Sequence, residues 1–113
     1  MHEMSLAEAL VEQVETIAQR ENAARVSCVT VNIGALAGVD RDAFEFAFPY
    51  AVEGSRLEGA ALRVHESAAD VACGACGKRS SPDILYMRCM HCGASDVKVV
   101  AGREFLIESV ELE

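Results

Sequence analysis

Cys73-Gly74-Ala75-Cys76-Gly77 and Cys89-Met90-His91-Cys92-Gly93, with twelve residues between Cys76 and Cys89, are two copies of one short pattern. Two residues between the thiols of each pair let the chain turn back, so that both sulfurs can face one ion at about 2.3 Å. Gly77 and Gly93 directly follow the second cysteine, where a tight turn calls for a residue tolerant of positive φ. Two such pairs read as a single tetrahedral four-thiolate site for zinc formed by Cys73, Cys76, Cys89 and Cys92. Four thiolates leave no coordination position open to water or substrate, so the site holds structure rather than performing catalysis. Two other uses of the same thiols compete. Small secreted domains pair such cysteines as disulfides. A rubredoxin-like iron centre needs aromatic shielding, which a chain with no Trp and few aromatics supplies poorly.

With 113 residues, half of them apolar, the chain can build one packed domain plus a small appendage. The amino terminus, Met1-His2-Glu3-Met4, has no basic region and no continuous apolar run. The expectation is a cytoplasmic protein with no membrane contact, in a reducing compartment that disfavours disulfides. Cys28, the fifth cysteine, lies in an apolar β-like run and reads as a small buried hydrophobe. Charge divides unevenly. Residues 1–72 carry five Arg and no Lys against twelve Asp and Glu, a net −7; residues 73–103 carry five basic and two acidic groups, a net +3. Zinc and four thiolates together lower that +3 to about +1. Nucleic acid binding rests on clustered, uncompensated Lys and Arg, so it is excluded as the main activity. An acidic body suits a cation or a basic protein.

Leu6, Leu10, Val14 and Ile17 line one face of an amphipathic first helix. Ser5-Leu6-Ala7-Glu8 reads as a capping box that starts this helix at Ser5 and leaves residues 1–4 as a presented arm. Val26 to Ile33, rich in β-branched residues, reads as a buried strand. Asp40 or Asp42 caps a second helix with Phe44, Ala47, Phe48, Ala51 and Val52 on its apolar face; Pro49 predicts a kink or an early end. A second strand is expected from Ala60 to Val64, extending toward Val71, with further strands at Ile84–Met87, Val97–Val100 and Glu104–Leu112. In the last, Phe105 and Ile107 fall on one side and Leu106, Val110 and Leu112 on the other. The order helix, strand, helix, strand, cysteine insert, strand predicts an α+β fold. It places two helices on a three-stranded mixed sheet, built on a right-handed βαβ crossover with an added edge strand, and inserts a zinc-ribbon-like module.

Enzymatic machinery is absent from the pattern. There is no Gly-rich phosphate loop and no Ser or Cys plausibly grouped with a His and an acid. His91 reads as a solvated loop residue within the second knuckle, with exchange for a cysteine ligand as the sharper alternative; His65 reads as an ordinary strand residue. His2 stands apart because an α-amine, the residue-2 amide nitrogen and the imidazole can chelate one divalent ion through fused small rings. Such planar nitrogen donor sets suit nickel or copper better than zinc. The Met1 amine must be free, so binding strengthens as pH rises through its ordinary titration near pH 8. Read alone, a second-position histidine is more often a solvated terminal side chain.

Several stretches together carry a family resemblance. These are Met1-His2-Glu3 leading into Ser5-Leu6-Ala7-Glu8; Ile33-Gly34 with Phe44-Glu45-Phe46-Ala47-Phe48; Glu53-Gly54 before Leu57-Glu58-Gly59-Ala60; both cysteine pairs; and the closing run from Glu104 to Glu113. The chain resembles, from end to end, the HypA/HybF family of hydrogenase-maturation nickel metallochaperones. The resemblance implies that His2 binds nickel with main-chain nitrogens of Met1 and Glu3, that Glu3 also tunes the site, and that Asp40 is an added oxygen ligand in some members. It implies structural zinc on Cys73, Cys76, Cys89 and Cys92. Its implied partners are a HypB-type GTPase and the large subunit of [NiFe]-hydrogenase, with urease maturation factors for some members. The second knuckle departs from the family's frequent Cys-Pro, having Met90 after Cys89. The expected organisation is a nickel-binding α/β domain over 1–72 plus 104–113 and a zinc-binding domain over 73–103. A zinc-ribbon interaction module without nickel chemistry is the alternative, in which Lys78, Arg79, Arg88, Lys98 and Arg103 rather than His2 carry function.

Overall fold

The computed structural model describes residues 3–113. The chain folds as two compact units. One gathers Met1–Asn32, Val39–His65 and Leu106–Glu113; the other gathers Ile33–Gly38 and Glu66–Phe105. Residues 73–103, which carry all four paired cysteines, fall wholly within the second of these units.

In the first unit, α1 (Glu3–Arg20) buries Ala7, Leu10, Val11, Val14 and Ala18. Leu6 and Ile17 are only half-buried. The buried stripe is rotated from the expected one because small Ala7 and Ala18 admit close packing, and α1 packs on α2. Ser5 is an exposed residue inside the helix, not its cap; the start lies at Glu3, an acidic residue at the positive end of the helix dipole. At the other end Asn22 adopts φ 54°, and the Asn22 and Ala23 amides close back on Gln19 and Ala18 at 3.1 and 2.9 Å. This is a Schellman stop with asparagine in the left-handed position.

β1 (Val26–Gly34) is buried along nearly all its length, as befits the centre of a sheet ordered β2-β1-β6. Arg25 and Glu113, flanking β1 and β6 (Phe105–Leu112), exchange both amide hydrogen bonds, at 3.2 and 2.9 Å, which makes that pair antiparallel. β2 (Ala61–Ser67) follows β1 through α2 (Arg41–Ala51) and runs parallel to it: the Val26 amide bonds Arg56 O and the Ala35 amide bonds Ser67 O. The expected α+β fold of two helices on a three-stranded mixed sheet is what the chain adopts. In β6 the half-buried residues are Phe105, Ile107, Val110 and Leu112, while Leu106 is 56% exposed. The inward phase changes at Glu108–Ser109, which a strict alternation misses.

Asp40 is the N-cap of α2, its Oδ1 accepting from the Ala43 amide at 3.1 Å. Phe44, Ala47 and Phe48 are buried. Pro49 lies in the last turn, and the helix runs only to Ala51 beyond it. A turn follows with Gly54 and Gly59 at φ near 80°. Leu57 fills the core there, and Arg56 is clamped by Glu15: its amide and guanidinium donate to the two carboxylate oxygens at 2.8 and 2.6 Å. The Arg56 amide is the main reason the Glu15 carboxyl is held below its ordinary range.

In the second unit, β3 (Asp70–Cys73) is the centre of a sheet ordered β4-β3-β5. It pairs antiparallel with β4 (Arg79–Ser80) and β5 (Val97–Ala101), with Val71 opposite Ser80 and Val99 and fully buried. The second strand therefore does not extend to Val71. It stops at Ser67, and Asp70 opens a strand of a different sheet. The break coincides with a crowded backbone crossing, where a Cβ on Gly34 would overlap the Gly102 carbonyl and one on Gly102 would meet Ala69. Gly34 also donates to Glu104 O, and Leu36 donates to Gly102 O at 2.7 Å. The Glu104 carboxylate accepts from Ser67 Oγ and the Gly102 amide, both at 2.8 Å, and these bonds, the hydroxyl's foremost, lower its pKa. Ile84–Met87 forms turns rather than a strand, since Asp83 takes the local amides: its Oδ1 accepts from Leu85 and its carbonyl from Tyr86.

Candidate metal centre

Each cysteine pair is built by the same backbone device. The Cys73 carbonyl accepts from the Gly77 amide at 3.0 Å and the Cys89 carbonyl from the Gly93 amide at 2.9 Å. Both glycines adopt φ 77°, as the spacing requires. The Cys73 amide bonds Lys78 O and the Cys89 amide bonds Ala94 O, closing both loops identically. Amides then point at sulfur: those of Ala75 and Cys76 reach Cys73 Sγ at 3.3 Å, and that of His91 reaches Cys89 Sγ at 3.4 Å.

All four sulfurs lie within 4.8 Å of one another. Cys73 Sγ is 3.6 Å from Cys92 Sγ, and Cys76 Sγ is 3.6 Å from Cys89 Sγ. A tetrahedral ion about 2.3 Å from each sulfur sets the sulfurs about 3.8 Å apart, so the donor set fits zinc. The contacts are far beyond the roughly 2.05 Å of a disulfide, and the cysteines are free. Amide donation, foremost from Cys92, draws the Cys89 thiol down to about 6, and the Cys76 amide foremost lowers Cys73. Cys92 receives a lowering bond from the Ala94 amide, but the Cys73 thiol, burial and the other two thiols outweigh it and push it up to about 11. A metal must expel the last protons, so binding acidifies the medium. Cys73 and Cys89 are buried, while Cys76 and Cys92 are exposed.

His91 is not among the gathered donors; its Nε2 lies 3.1 Å from Arg79 O, which ties the second knuckle to β4. His65 sits beside Glu108 at 3.1 Å on the sheet. Sequence reasoning gave no role to Asp96, whose carbonyl accepts from the Gly74 amide at 2.8 Å and whose carboxylate occupies the place a Cβ on Gly74 would need. The glycine after Cys73 was the available signal.

Met1 and His2 lie outside the described residues. Glu3 and Asp40, far apart in sequence, are brought together: Glu3 Oε2 accepts from the Asp40 amide at 3.1 Å. The Glu3 carboxylate thus caps the start of α2 from outside, while Asp40 Oδ1 caps it from within. The spacing of the two residues along the chain could not reveal this contact.

A family model described as hydrogenase/urease nickel incorporation metallochaperone HypA matches residues 1–112. The hydrogenase maturation factor HypA of Chlorobium limicola is 42% identical over 113 residues, covering 100% of this chain and 97% of that protein. That of Roseiflexus is 42% identical over 114 residues, covering 100% and 93%. The solution structure of the Ni metallochaperone HypA from Helicobacter pylori superposes with TM-score 0.71 at 28% identity over 99% of this chain and 97% of that one. With fold, four-cysteine cluster and full-length match in agreement, the chain belongs to the HypA family of hydrogenase maturation factors and nickel metallochaperones.

Proposed function

We propose that the protein is a non-enzymatic nickel carrier in which His2, with the Met1 amine and the main-chain nitrogens of His2 and Glu3, holds Ni(II) for delivery to the [NiFe]-hydrogenase large subunit. Zinc on Cys73, Cys76, Cys89 and Cys92 keeps the second unit folded. Domain roles follow, with nickel on 1–72 plus 104–113 and zinc on 73–103. A HypB-type GTPase acts with it in the cytoplasm, and urease maturation factors are further partners. The observation that carries this reading is the placement of Glu3. It opens α1, where the first amides of a helix have no intrahelical acceptor, so its main-chain nitrogen is available to a metal. Its carboxylate is bonded to the Asp40 amide, which holds residue 3 beside a second acidic residue. Asp40 Oδ1 accepts from the Ala43 amide, which leaves its other oxygen the freer of the two for nickel.

Planar nitrogen donors favour nickel, and a terminal arm can release ligands one at a time during transfer. Calorimetric titration of nickel into untagged protein and a His2→Gln variant tests the assignment. The variant is expected to lose the tight site; unchanged affinity refutes the role of His2. Extending the chain before Met1 converts the amine to an amide and is expected to weaken binding similarly.

A further inference from the structure

On α2, Phe46 and Tyr50 stand one turn apart, 72% and 56% exposed, with ring centroids 5.7 Å apart and planes tilted by 45°. Their neighbours Phe44 and Phe48 are buried, so the helix is apolar on two sides and only one of these meets the core. Asp42, Pro49 and Glu53 are exposed at spacings that put them around the same rings. The helix's one cation, Arg41, is 2.8 Å from Glu45. Among the described residues no hydrogen bond or ion pair engages the Asp42 or Glu53 side chain.

We infer that this face of α2 is a docking surface for a basic, apolar segment of a partner protein, with Arg or Lys meeting the carboxylates and ring faces and an aliphatic side chain seated against Phe46 and Tyr50. Three observations select this occupant. Exposed aromatic faces take up cations, guanidinium groups best of all. Asp42 and Glu53 frame the rings with negative charge that no ion pair among the described residues neutralises, and residues 1–72 carry a net −7. The two rings together present roughly 250–300 Å² of surface, from side chains that bury about 150–250 Å² each. That is well below the ~800 Å² per partner of a stable protein interface, which disfavours a second copy of this chain and suits a short segment. Phe46 is six residues from Asp40 along the helix, about 9 Å of rise, so a docked partner lies close to the Glu3–Asp40 contact.

The test uses the full-length, zinc-loaded protein labelled with nitrogen-15, titrated with a short amidated peptide of alternating Arg and Leu and with its Glu-for-Arg counterpart. Amide shifts confined to α2 with the Arg peptide, and none with the Glu peptide, are expected. Phe46→Ala/Tyr50→Ala should weaken binding about tenfold or more, as truncation of anchor aromatics does. Asp42→Asn/Glu53→Gln should weaken it severalfold and flatten its salt dependence. All four side chains are exposed, so unaltered thermal unfolding of the variants verifies the fold. His2→Gln should bind the peptide as wild type does, so failure here is distinguishable from failure of the nickel assignment. Equal binding of both peptides, shifts centred on Ile84–Met90, or retention of affinity by the double aromatic variant overturns the inference. So does a dimer that dissociates on Phe46→Ala/Tyr50→Ala.

Discussion

Replacing Gly34 with alanine is expected to be among the most damaging single changes that adds only one methyl group. The new Cβ would overlap the carbonyl carbon and oxygen of Gly102, which are backbone atoms and cannot rotate away. Relief requires the two segments to part, and the segment after Gly34 is held there by short bonds, Gly34 to Glu104 O at 2.8 Å and Leu36 to Gly102 O at 2.7 Å. Overpacking costs about 1–3 kcal/mol, and each weakened backbone bond about 1 kcal/mol. Roughly 3 kcal/mol in all, against an unfolding entropy of about 2.1 cal/mol/K per residue over 113 residues, lowers Tm by about 12 °C. Calorimetric melting of the zinc-replete protein measures this. Gly38→Ala is the control: its Cβ meets nothing, and only the φ of 74° is strained, so about 1–2 kcal/mol and 4–8 °C are expected. If both variants melt together, or Gly34→Ala falls by less than 4 °C, the close approach does not constrain the fold as argued.

Glu15→Gln removes the charge that Arg56 faces. With both groups about a third exposed, it should cost about 1 kcal/mol at pH 7, or ~4 °C in Tm. Because the folded carboxyl titrates below its unfolded value, the wild-type advantage is complete above the ordinary carboxylate range and disappears as pH falls through the folded pKa; melting curves of the two proteins should converge in acid, once pH lies below that folded pKa. Chelation of zinc, or Cys89→Ser, should unfold β3 to β5 while leaving α1 and its helical circular dichroism largely intact, and metal analysis should return one zinc per chain. Leu85→Ser, at a side chain 79% exposed, should change stability by less than about 0.5 kcal/mol in urea titration, where a core strand residue would cost several times that.

The cysteine cluster was legible because the C-x-x-C-G spacing is itself the geometry: the turn, the positive-φ glycine and the convergent sulfurs are all local. Both helices and the central strand were legible from periodicity and β-branching for the same reason. What failed depended on competition between local options. Ser5 and Glu8 form a proper capping box in sequence, yet the Asp40 amide, 37 residues away, holds Glu3 at the helix start. Ile84-Leu85-Tyr86 has strand propensity, but Asp83 bonds the amides that a sheet partner would have needed. The run from Ala60 toward Val71 holds no Gly or Pro to mark a break, and the break coincides with Gly102 crossing at Ala69, a contact no window along the chain contains. Glu3 was named from the family resemblance, and Asp40 both from that resemblance and as a helix cap; their hydrogen bond is a property of the fold alone.

The inward and outward placement of the two cysteines in each knuckle gives the cluster a direction. Cys73 and Cys89 are 4% and 3% exposed, whereas Cys76 and Cys92 face solvent. An oxidant, an electrophile or a competing thiol therefore meets the outer pair first, and the inner pair would be the thiols left to hold a bound metal. Were zinc held by the four thiols, its loss would begin at Cys76 and Cys92, with Cys73 and Cys89 shielded on the buried side. Its resistance to oxidative damage is set by two surface sulfurs rather than by the stability of the unit that carries them.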